Sequence, residues 1–96
     1  MRLMKSEIGI IKNTILENIS DAKIILFGSR VYDDKKGGDI DLCIKTERNI
    51  SLSQKLKILT KLELAGIQRK VDIVLQTSNT KHLSIFDTIK KEGILL

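Results

Sequence analysis

Three aspartates carry the chemistry open to this sequence. Asp39 and Asp41 stand two residues apart in GGDIDLCIK, and Asp72 stands in KVDIVLQ. In a strand, alternate side chains share a face, so Asp39 and Asp41 point the same way, a few ångströms apart. Paired carboxylates repel unless a cation lies between them. A hard divalent ion such as Mg²⁺ takes carboxylate and phosphate oxygens together. Upstream, the apolar run KIILF closes on Gly28 and Ser29. Backbone N–H groups at such a strand-to-turn junction can hold phosphate oxygens. A phosphate cradle beside metal-binding carboxylates points to nucleotide chemistry.

The elements that must position these groups follow from periodicity. Ile8, Ile11, Ile15 and Ile19, with Leu16 alongside, predict an amphipathic helix over 6–19, with Ser6 as its cap. Residues 23–28 read as a short apolar strand. Residues 39–45 alternate, with Ile40, Leu42 and Ile44 on one face and Asp39, Asp41 and Cys43 on the other. Ser51 and Gln54 form a capping box that opens a helix to about residue 65. Leu52, Leu56, Leu59 and Leu62 give it an apolar stripe, and Gly66 stops it. Residues 70–76 read as a third strand, with Val71, Ile73 and Leu75 on its core face and Asp72 opposite. A last helix runs from about His82 to Glu92 and ends at Gly93. The expected fold is α/β (α+β), order α-β-β-α-β-α, with a mixed sheet of three or more strands flanked by helices, because each helix stripe needs a sheet face to cover.

Composition narrows the partners. The 96 residues are read as one domain, 1–96, and the apolar fraction of 42% suffices for a core. Net charge is +5, from 17 Lys+Arg against 12 Asp+Glu, which suits a phosphate-rich substrate. Phe27, Tyr32 and Phe86 are the only aromatics, which argues against a base-stacking surface for single-stranded nucleic acid. One cysteine, Cys43, excludes an internal disulfide and makes a reducing cytoplasm the expected compartment. No apolar run reaches membrane-spanning length, and no signal peptide opens the chain.

If the third strand lies beside the second, Asp72 joins Asp39 and Asp41, and three carboxylates on adjacent strands form a two-metal site for in-line displacement at a triphosphate. Other polar residues have plainer readings. Arg30 contacts phosphates or solvates the loop, and its position alone leaves both open. Lys35 and Lys36 read as a solvated pair, Asp33 and Asp34 as turn formers, Cys43 as packing and His82 as a surface or capping residue.

FGSRVYDDKKGGDIDL followed by KVDIVL resembles the nucleotidyltransferase superfamily of the DNA polymerase β type, and within it the minimal nucleotidyltransferases of bacteria and archaea. The resemblance covers almost the whole chain. It implies a nucleotidyltransferase-like fold, with Gly28, Ser29 and Arg30 at the phosphates. Asp39 and Asp41 match the metal-bridging pair. Asp72 matches the third carboxylate, which helps activate the acceptor hydroxyl. The spacer from Arg30 to Gly38 is one residue shorter than the commonest form there. Two Mg²⁺ ions and ATP as substrate are implied. So is a role as the antitoxin of a toxin–antitoxin pair, moving AMP onto a tyrosine of a HEPN-type ribonuclease toxin. Two alternatives remain: a non-catalytic antitoxin that only binds its partner, and a transferase acting on RNA or a small molecule. Direct nucleic-acid or membrane binding is not expected. Apolar surface on a helix could serve the partner or a second copy.

Overall fold

The computed structural model describes residues 3–28, 39–77, 80 and 84–96. Helix α1 (Lys5–Asn18) leads into strand β1 (Lys23–Phe27). Strand β2 (Ile40–Lys45), helix α2 (Leu52–Leu64), strand β3 (Val71–Gln76), helix α3 (Ser84–Glu92) and strand β4 (Ile94–Leu95) follow. The four strands form one mixed sheet in the order β3-β2-β1-β4. β1 runs antiparallel to both β2 and β4, and β2 runs parallel to β3. The α-β-β-α-β-α order and the flanked mixed sheet are those expected from the sequence. β4 is an addition: two residues after Gly93 turn back and pair with Ile25 and Leu26.

Strand alternation divides the side chains between two layers. Ile24, Leu26, Ile40, Leu42, Ile44 and Ile73 bury one face against α1 and α2. Ile25, Phe27, Cys43 and Val74 meet Phe86 and Ile89 of α3 on the other. Cys43 is therefore a packing residue, fully buried, and burial pushes its thiol pKa up. Among the described residues no helix is long and apolar enough to cross a membrane.

Two details differ from the sequence reading. α1 starts one residue early: Met4 is its N-cap, and the Glu7 carboxylate accepts the Met4 N–H at 3.0 Å, so Ser6 lies inside the helix and does not cap it. The α2 stripe is rotated. Ile58 and Leu62 are buried, whereas Leu52 and Leu56 are 69% and 53% exposed. His82 lies outside the described residues. The Ser51–Gln54 box is present, with Gln54 N–H donating to Ser51 Oγ at 3.1 Å and Ser51 N–H to Gln54 Oε1 at 3.0 Å. Such a cap contributes on the order of 1 kcal/mol. Gly66, at φ +116°, ends α2 as its position suggests.

Asp21 ties the turn after α1 to the end of β2. Its carboxylate accepts the Thr46 hydroxyl at 2.6 Å and the Glu47 N–H at 3.0 Å, and Arg48 Nε lies 3.8 Å away. The Thr46 hydroxyl first, then the Glu47 N–H, hold its pKa below the usual carboxylate value. A carboxyl depressed in the folded state contributes stability above its unfolded pKa, about 3.9, and loses it as pH falls through the folded value. Asp21→Asn is expected to lower the melting midpoint by a few degrees at neutral pH and to flatten its decline in acid. Thermal melts across acid pH check this; an unchanged acid limb in the variant removes Asp21 from the account.

Candidate active site

Because β1 is antiparallel to β2 and β2 parallel to β3, the end of β1 and the starts of β2 and β3 share one rim of the sheet. The register is close: Phe27 pairs with Asp41, and Asp41 pairs with Asp72. Directly paired residues project to the same face, with neighbouring strands about 4.8 Å apart. Asp41 and Asp72 therefore stand side by side on the α3 face of the sheet, and both are half-buried. The apolar contacts of α3 reach Cys43, the next residue inward on that face, and leave the two carboxylates at the rim.

Asp39 is exposed and sits one residue before β2. Pairing continues there, since Ile40 N–H donates to Lys70 O at 2.8 Å. Lys70 Nζ lies 4.0 Å from Asp72 Oδ1, with the Lys70 side chain exposed and that of Asp72 about half so, a pair worth less than about 1 kcal/mol. The sequence reading makes Lys70 the first residue of the third strand and gives it no role at the site, although its place two residues before Asp72 puts both on one strand face. An open groove of about 640 Å³ adjoins Asp72, lined by Leu59, Glu63, Arg69, Lys70 and Val71. Asp39 and Asp41 do not line it.

Gly28 closes the rim above Asp41. Its φ of +73° belongs to the left-handed region, and a Cβ there would collide with the Asp41 carboxylate. The backbone thus approaches Asp41 where no other residue type fits. Ser29 and Arg30, the other expected phosphate contacts, lie outside the described residues, as do Tyr32, Asp33, Asp34, Lys35 and Lys36.

Among the described residues no three His, Cys, Asp or Glu side chains converge to hold a metal ion. The structure brings Asp41 to Asp72 and leaves Asp39 at the mouth. Carboxylates are hard oxygen donors, and the Asp41 carboxylate lies close against the Gly28 backbone, where a Cβ would displace it. Mg²⁺ commonly keeps several waters and binds through one or two carboxylates plus substrate phosphates, so this donor set fits it.

The family profile described as "Polymerase beta, Nucleotidyltransferase" matches residues 10–96. The chain belongs to the polymerase β nucleotidyltransferase family. No curated protein matches it. Among solved structures it is similar to a chain of the complex of a tri-AMPylated Shewanella oneidensis HEPN toxin with MNT antitoxin, at 23% identity and a TM-score of 0.67, covering 94% of this chain and 67% of that one. A mutant form of the toxin–antitoxin MntA–HpeT matches at 21% identity and a TM-score of 0.70, over 92% of this chain and 68% of that one. A further protein from Shewanella oneidensis matches at 15% identity and a TM-score of 0.73, over 98% and 71%. At these identities the likeness is one of fold.

Proposed function

We propose that this chain is a Mg²⁺-dependent nucleotidyltransferase that moves AMP from ATP to a tyrosine hydroxyl of a HEPN-type toxin and so acts as its antitoxin. The observation that carries the reading is the parallel register that sets Asp41 beside Asp72 beneath Gly28. The fold neighbours support the partner, since one of them holds a HEPN toxin that is itself AMPylated.

Asp39 and Asp41 would hold the nucleotide-bound cation, and Asp72 a second one at the acceptor. Bound there, such ions neutralise the triphosphate and the leaving pyrophosphate and ease ionisation of the attacking hydroxyl. The Gly28 N–H, with Ser29 and Arg30, would orient phosphate oxygens. Asp72, beside Asp41 at the rim of the sheet, would direct the acceptor hydroxyl towards the α-phosphate. Orientation is a large part of the rate in such displacements, and a docked protein supplies it better than a free small acceptor.

Purified chain, ATP and Mg²⁺ are expected to add one or more AMP units to a co-encoded helical partner, and the addition to fall off in EDTA. Intact-mass spectrometry of the partner measures it. Asp72→Asn should cut transfer by on the order of a hundredfold while weakening Mg-ATP binding much less. A partner that stays unmodified yet is inhibited in a tight complex establishes the non-catalytic antitoxin instead. Loss of nucleotide binding in Asp72→Asn overturns the division of roles.

A further inference from the structure

Two unpartnered surfaces lie side by side on the flank of the molecule away from α1. The first is a sheet edge. β3 is the outermost strand, and among the described residues nothing pairs with its outer side. Lys70 O and Gln76 O accept from Ile40 N–H and Thr46 N–H, so the even-numbered residues of β3 turn their backbone groups to β2. Val71, Ile73 and Leu75 turn theirs outward. Natural edge strands are commonly blunted by Lys, Pro, bulges or shortness. Val71–Gln76 is six residues long, carries neither Lys nor Pro, and has Asp72 as its one charged residue.

The second surface is the shoulder of α2. Lys61 Nζ reaches Asn18 Oδ1 at 3.4 Å, which fixes the side of α2 that faces α1. On a helical wheel, Leu52, Leu56, Leu59 and Glu63 fall on the opposite side. Leu59 and Glu63 line the groove together with Val71. The exposed leucines Leu52 and Leu56 therefore continue the same flank as the open edge of β3.

We infer that this flank joins two copies of the chain, pairing β3 with β3 antiparallel into one continuous sheet. An isolated helix would cover the leucines and leave the backbone edge bare, and an isolated strand would do the reverse. A second copy brings a matching edge and a matching shoulder in the same relation. Its two-fold axis stands perpendicular to the sheet, so both α2 helices fall on one side, antiparallel, with Leu52 and Leu56 between them. Lys55 of one helix then approaches Glu63 of the other. Charge also selects the register. Centring on residue 72 would oppose the two Asp72 carboxylates. Centring on Ile73 or Val74 sets Asp72 against Val74 or Gln76 of the second copy, with no like charges opposed. The pairing needs no transferase chemistry.

Sedimentation of the full chain, without nucleotide, is expected to show a species of twice the 10.8 kDa chain mass. The Val71, Ile73 and Leu75 amides should resist hydrogen exchange in it. Leu56→Glu, on exposed helix surface, should stay folded and weaken association at least ~10-fold. Val71→Pro removes an outward donor, spares the ladder to β2, and should do the same. A wild-type chain that remains monomeric through the micromolar range overturns the inference, as does a dimer indifferent to both substitutions. So does protection of those three amides that arises only when a different protein is added, which would give the flank to that partner.

Discussion

With Asn at both Asp39 and Asp41, AMP transfer is expected to fall to background while the fold persists. The two carboxylates are proposed to hold the nucleotide-bound cation. Electrostatic stabilisation by a bound cation is worth several kcal/mol at the transition state, and about 4 kcal/mol is roughly a thousandfold in rate. Neither residue belongs to the apolar core: Asp39 is exposed and Asp41 lies at the rim. Stability should hold or rise slightly, because removing charge from neighbouring carboxylates relieves repulsion. Calorimetry of Mg-ATP binding beside thermal melts decides the matter. Undiminished metal–nucleotide binding in the double variant removes the pair from the site.

The positions of the aspartates were legible because β2 alternates strictly and because Asp72 stands among β-branched residues whose core face is plain. What spacing could not establish was adjacency. That Asp72 meets Asp41 depends on β3 pairing parallel with β2, a long-range choice made by α2 crossing between them, and the sequence supports it only through the family resemblance. β4 was not visible, since two residues carry no period and their pairing with β1 rests on the turn at Gly93. The α2 stripe misled because leucines cover more of the helix surface than the sheet can bury. Ile58 and Leu62 face inward, and Leu52 and Leu56 are left over. The excess apolar surface is itself informative, for it falls beside the open edge of β3. Ser6 has the usual capping chemistry, yet the cap of α1 falls two residues earlier, at Met4, because Glu7 reaches back to it.

Gly28→Ala is the second substitution from which a large effect is expected, and it separates the geometry of the rim from stability in general. Two costs coincide at that position. An L-residue held at φ +73° loses roughly 1–2 kcal/mol. The new Cβ also takes the space of the Asp41 carboxylate, whose Cγ would lie only 3.2 Å away. Either the turn opens or the carboxylate moves. A displacement of about 1 Å at a reacting centre can cost on the order of a hundredfold in rate. Gly66→Ala supplies the control. Gly66 is also held at positive φ, +116°, but a Cβ there meets only Ile10 Cδ1 at an ordinary 3.9 Å, and no carboxylate atom within 4 Å. Both variants should melt lower than the parent. Only Gly28→Ala should lose transfer when rates are compared at temperatures where both are fully folded. Equal transfer by the two variants would show that the close approach of Gly28 to Asp41 serves the turn alone, and the phosphate cradle would have to be sought elsewhere on the rim.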